Sequence, residues 1–264
     1  MNPIAHSGPG RAAMLAACAA AAALLLGACS TAPGPASGGS TASGSSTKSS
    51  SSGGSGSSGS TSTVSSSSVP FPVTVGNTWI YNADVTGIEH GTVTNKVIAV
   101  KPVSGGTQAT ISDHDSFASA TTDSIYVFHP DGSISYPFSQ LQSGATLVRG
   151  GITWPSAAVI DSGQPTASTV VLEIHPNGGG AQRVTAHVTV KGDGTATVTV
   201  PAGTYTATVV SMTEKFTVVG YKAQIVVRTW MATGVGPVQS EATLTELGRS
   251  QLVSQLKLAT FTKG

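Results

Sequence analysis

Hydrophobic and polar positions alternate strictly through the second half of the chain. In RVTAHVTV, Val184, Ala186, Val188 and Val190 face one way and Thr185, His187 and Thr189 the other. TATVTV repeats the pattern, with Ala196, Val198 and Val200 against Thr195, Thr197 and Thr199. A period of two marks a strand with one buried face. KGDG, residues 191–194, separates the two runs and predicts a tight turn, so 183–200 reads as a β-hairpin. VPAG at 200–203 then turns the chain into a third strand, where Tyr205, Ala207 and Val209 alternate with Thr206, Thr208 and Val210.

The same signals recur elsewhere. IYVFHPDGSISYPF predicts a hairpin folded at Pro130-Asp131-Gly132. TWIYNADVTG, GTVTNKVIAVKPV, TQATISDHDS, TVVLEIHP and KAQIVVRTW supply further strands. The tail, TELGRSQLVSQLKLATF, fits both periods. Leu252, Leu256 and Ala259 suit a helix, whereas Leu252, Leu256 and Leu258 alternating with Val253, Gln255 and Lys257 suit a strand. Gly248 and the absence of a helix cap favour the strand. The expected fold is all-β, about ten mainly antiparallel strands in one domain over residues 70–264, as a sandwich, a barrel, or a curved sheet or half-barrel.

Composition changes abruptly upstream of that domain. Residues 30–69 are almost entirely Ser, Gly, Thr, Ala and Pro, with Lys48 the only charge. Such a segment buries too little apolar surface to offset its entropy and is expected to be a disordered tether. At roughly 5–6 Å times the square root of its length, it would have a root-mean-square reach of about 35 Å. Ahead of it, Arg11 precedes an apolar run from Ala12 to Leu26, short of the ~20 residues that span a bilayer and laid out like a secretory signal.

The run closes on Leu26-Gly27-Ala28-Cys29, which resembles a bacterial lipobox. The resemblance implies cleavage after residue 28, so that 1–28 is a lipoprotein signal peptide and 29–69 the lipidated cysteine with its tether. Diacylglycerol on Cys29 would be the membrane partner, holding the protein on the extracytoplasmic face of the cell membrane; two acyl chains suffice for stable anchoring where one does not. Only Cys18 and Cys29 are present, and Cys18 lies in the removed segment, so neither a disulfide framework nor a cysteine metal site is expected. Without Arg11 the 13 Lys+Arg become 12, against 12 Asp+Glu. With no basic cluster in the sequence, nucleic acid is not an expected partner.

Three stretches carry a second resemblance: FPVTVGNTWIY at 71–81, VPAGTYTATVV at 200–210 and RTWMATGVGPVQSE at 228–241. Together they resemble a group of bacterial envelope lipoproteins. That likeness implies a strongly curved antiparallel sheet akin to the half-barrels of lipoprotein-carrier proteins. Those half-barrels bear helices on the concave face, whereas no helix is expected here between Trp79 and Trp230. Trp79, Tyr81, Tyr205 and Trp230 are the candidate ligand-binding residues, lining a cavity for an apolar or ring-shaped ligand; as aromatics at strand positions they serve equally as core.

Candidate chemistry is sparse. SDHDS at 112–116 puts Asp113 and Asp115 on one face and His114 on the other, and is expected to be a solvated loop or edge. His90, His129, His175 and His187 show no ligand spacing, with His129 and His175 preceding prolines as turn residues. No nucleophile elbow and no phosphate-cradling loop is found, and no catalytic residue, metal or cofactor is assigned. The expected function is a lipid-anchored surface lipoprotein binding a small apolar ligand or lipid non-covalently. A protein-interaction or structural envelope module, with an envelope protein as partner, is the alternative, and an extracytoplasmic hydrolase the third reading.

Overall fold

The structure is a computed structural model that describes residues 71–86, 90–117, 121–136, 145–174, 180–218 and 221–264. The signal segment, Cys29, the tether and His175 lie outside the described residues.

Thirteen strands follow in chain order: β1 (Thr78–Val85), β2 (Gly91–Val103), β3 (Gly106–Asp115), β4 (Thr121–Phe128), β5 (Ile134–Tyr136), β6 (Ala145–Arg149), β7 (Ile152–Trp154), β8 (Thr166–Ile174), β9 (Gln182–Val200), β10 (Gly203–Val218), β11 (Tyr221–Ala232), β12 (Gly236–Glu246) and β13 (Arg249–Thr262). One helix, α1 (Ala157–Asp161), separates β7 from β8. All thirteen strands join one antiparallel sheet in the order β6-β8-β9-β10-β11-β12-β13-β1-β2-β3-β4-β5-β7. The sheet is curved enough for β9 to touch β12 and β13 across its concave side, and for β7 to lie against β8 near the opposite edge. It does not close: β6 and β7 remain its two edges.

The alternation read from RVTAHVTV is the alternation observed, with Val184, Ala186, Val188 and Val190 buried and Thr185, His187 and Thr189 outside or nearly so. Inward side chains make two clusters. One joins β8–β12 to Ile152 and Trp154 of β7 and Ile160 of α1. The other joins β1–β4 and β13 to the ends of β9–β12. Leu256 and Leu258 of the tail belong to the second, which makes the tail a strand. A bulge slips the β12–β13 register between Ala242 and Thr243, setting Leu252 opposite Thr243 on the outer face. One residue of slip exchanges faces.

Two expectations fail here. KGDG is not a turn: β9 runs unbroken from Gln182 to Val200, pairing with β10 on both sides of the motif. Asp193 and Gly194 bulge opposite Val209, with Gly194 at φ +87°, so glycines that could have closed a hairpin bend a long strand instead. The helix α1 was not anticipated either, because five residues are too few to display a helical period. It seats Ile160 in the first cluster directly against Gly192. A Cβ at Gly192 would stand 2.0 Å from the Ile160 carbonyl oxygen. Gly192→Ala is therefore expected to cost about 1–3 kcal/mol in urea denaturation, as overpacking does. Gly180→Ala, with nothing within 4 Å of the added carbon, should cost nothing measurable.

Turns at Pro130-Asp131-Gly132 and Pro201-Ala202 close the β4–β5 and β9–β10 hairpins as expected. His129 fixes the first of these. Its Nδ1 donates to the Gly105 carbonyl at 2.9 Å, leaving Nε2 to accept from Ser135 Oγ at 2.8 Å.

Candidate functional site

The four candidate aromatics meet at the second cluster. Trp79 has no exposed surface; it stacks on Phe71 and Phe261 at 4.8 and 5.2 Å between ring centres. Its Nε1 donates to the Val235 carbonyl at 2.6 Å. Tyr81 is also buried, and its hydroxyl donates to the Pro237 carbonyl at 3.0 Å. Tyr205 and Trp230 are half-buried against the same cluster, Tyr205 reaching the Ala202 carbonyl at 3.3 Å. Both buried rings thus tie β1 to the turn that begins β12, with their polar ends satisfied. Both rings pack inside the second cluster.

SDHDS departs from expectation in burial, not in geometry. Asp113 and Asp115 share the inner face of β3 and His114 points out, but the acids are only 3% and 5% exposed. Strand β3 lies inside the sheet between β2 and β4, and the acids continue the inward series Ala109, Ile111. Burial pushes the Asp113 carboxyl well above its usual range; a hydrogen bond with Ser124 opposes the shift, and Asp115 and Asp123 add to it. Asp113 Oδ2 has no hydrogen-bond partner. Burial, then the nearby Asp113, likewise holds the Tyr81 hydroxyl protonated beyond its ordinary range. Among the described residues no three His, Cys, Asp or Glu side chains converge as metal ligands would.

Sequence reasoning passed over Glu214. Strand β10 turns Val210, Met212, Glu214 and Phe216 inward in succession, and Glu214 lies between Val188 and Ile225. It is 2% exposed, its Oε1 lacks a partner, and burial raises its pKa to about 8. The signal was present: in VSMTEKF, counting by two from Val210 places the glutamate on the apolar face.

An open groove of about 530 Å³ lies on the polar side of the sheet, at the end where β10–β11 and β12–β13 turn. Register builds it. His187, Lys215, Gln224 and Thr245 stand side by side on β9, β10, β11 and β12. Arg183, Lys222 and Glu246 border the same space. Arg183 approaches Glu173 at 3.7 Å, while Lys215 and Lys222 have no ion-pair partner among the described residues. Leu247, on the rim, is 77% exposed. It forms the β12–β13 loop with Gly248, and both have positive φ, +49° and +73°. Asn, Asp and Gly favour such two-residue hairpin loops. A leucine held there carries about 1–2 kcal/mol of backbone strain.

The whole is a single, open, curved antiparallel sheet with two inward-facing hydrophobic clusters and a groove at one end. The chain matches the family described as DUF3108-like over residues 75–246, and it belongs to that family. Two crystal structures share the fold. One is a protein from Bacteroides fragilis described as exported, with a YmcC-like fold: 17% identity, 74% of this chain and 100% of that one, TM-score 0.53. The other is a protein from Parabacteroides distasonis described as a lipoprotein: 16% identity, 74% of this chain and 99% of that one, TM-score 0.54. Among curated proteins no sequence matches this chain significantly.

Proposed function

We propose that this is an exported lipoprotein, anchored on the extracytoplasmic face of the cell membrane through diacylglycerol on Cys29, whose β-domain binds a small amphiphile or lipid non-covalently in the groove. The observation that carries the reading is the groove itself. Its 530 Å³ lies within the ~300–1,000 Å³ of ordinary ligand sites, and it sets cationic side chains beside an apolar rim. The anchoring rests on Leu26-Gly27-Ala28-Cys29 and accords with structural relatives described as exported and as a lipoprotein. Binding is favoured over hydrolysis because Asp113, Asp115 and Glu214 are sealed in the sheet's inner face, away from a dissolved substrate.

The test is native mass spectrometry of the mature chain, from residue 29, before and after organic extraction. The expected result is an added mass that extraction removes and that a chain carrying Lys215→Glu and Lys222→Glu does not acquire. A bare polypeptide mass, unshifted by a panel of lipids, overturns the reading.

A further inference from the structure

We infer that the groove docks on an anionic phospholipid bilayer, with Leu247 entering the headgroup layer while Arg183, Lys215 and Lys222 meet the phosphates. The inference rests on the groove being a binding site, as proposed above.

Three observations converge on it. First, Leu247 is the most exposed of the large hydrophobic residues described, at the tip of a hairpin, in a backbone conformation that a leucine disfavours. An asparagine would fit that turn better, so folding alone does not explain the residue. An apolar side chain at an outermost point gains by leaving water, and a bilayer interface takes it without closing over it. Leu252, turned outward by the bulge on the same hairpin, is 47% exposed and lies three residues along β13 from the pair that closes the turn.

Second, charge complements an anionic surface. Lys215 and Lys222 lie in the groove without ion pairs among the described residues, Arg183 borders them, and Arg249 follows the Leu247 turn. Glu246 is the one acid in the lining, against three cations, and Arg183 lies 3.7 Å from Glu173; an excess of cations beside an apolar tip is the pattern that binds acidic headgroups. The chain as a whole is nearly neutral, with 13 Lys+Arg against 12 Asp+Glu, so this pattern is local rather than a property of its overall charge.

Third, the length of sequence between Cys29 and the described domain suits this docking. Phe71, where the described domain begins, packs against Gly236 at the start of β12, and Leu247 follows the other end of that strand. Eleven residues of strand span roughly 35 Å at ~3.3 Å per residue. The composition of residues 30–69 predicts a root-mean-square reach of about 35 Å as well. The effective concentration of a tethered site is greatest when reach and span match. An anchor at Cys29 therefore lets the far, groove-bearing end face the membrane.

The experiment uses the mature chain with Cys29→Ser, which removes the acyl anchor and leaves no cysteine. Co-sedimentation is measured with phosphatidylcholine vesicles and with vesicles of phosphatidylcholine and phosphatidylglycerol in equal parts. Binding is expected to the anionic vesicles only, and to weaken about tenfold as salt is raised. Leu247→Asn should weaken it about tenfold more while leaving the melting temperature unchanged or higher, since asparagine suits the turn. An environment-sensitive dye on Leu247→Cys should shift to the blue on binding, and the same dye on Thr199→Cys should not. Vesicle binding unaffected by Leu247→Asn, or absent while a detergent-solubilised anionic lipid still occupies the groove, overturns the docking but leaves the binding reading standing. No binding of either lipid form overturns both.

Discussion

Glu214→Met is expected to stabilise the domain by about 3 kcal/mol at neutral pH and to flatten its stability between pH 5 and pH 8. The figure follows from linkage: with an ordinary value of 4.5 and a folded value of about 8, each unit separating the solution pH from 4.5 costs about 1.4 kcal/mol until the folded value is reached. The sign is that of an acid whose folded pKa is raised. Stability is fully present below the unfolded pKa and is lost as pH rises toward 8, because ionisation favours the unfolded chain, where the carboxylate meets water. Methionine matches the length of glutamate, suits the apolar neighbours Val188 and Ile225, and has no charge to desolvate. For a domain of this size the gain corresponds to about 6–12 °C in Tm.

Two companion measurements sharpen that expectation. Glu214→Gln should flatten the same pH dependence but gain less, since an amide leaves a polar atom buried among side chains that offer no partner. Asp113, raised by burial in the same direction, should leave a residual decline in the Met variant, beginning above pH ~4. Urea denaturation across the pH range checks all three. A flat profile in the wild-type chain, or a Met variant less stable than wild type, would show that Glu214 has a favourable partner in solution.

Faces were legible in this sequence; neighbours were not. RVTAHVTV announces which side chains turn inward because alternation is a property of one strand. KGDG misled because a hairpin turn and a bulge both draw on glycine at positive φ. Only the pairing of β9 with β10 beyond the motif decides between them, and pairing is non-local. SDHDS shows the same division. Its acids share a face, as read, but their burial depends on β2 and β4 flanking them. Glu214 went unnoticed because one charge hardly weakens an apolar series, although the count from Val210 exposes it. The groove lay furthest from view. His187, Lys215, Gln224 and Thr245 become neighbours through three ladder registers, and no spacing in the chain announces them.

Trp79→Ala is expected to destabilise the domain by about 3–5 kcal/mol in the absence of any ligand, the usual cost of emptying a core tryptophan site. The residue is fully buried, sandwiched between Phe71 and Phe261, and its indole N–H holds the Val235 carbonyl at the turn before β12. Removal loses the ring's dispersion contacts and strands that carbonyl. Trp79→Phe separates the two contributions: it keeps most of the ring and removes the donor, for an expected loss of about 1–3 kcal/mol. Neither change touches the groove, whose lining begins at the opposite end of β12, so ligand occupancy in the folded Phe variant should equal that of wild type. The contrary pattern, little loss of stability with loss of binding, would move the ligand to the aromatic end of the sheet. Trp79, Tyr81, Tyr205 and Trp230 would then line a site, and the groove at Leu247 would not be the place where this protein meets its ligand.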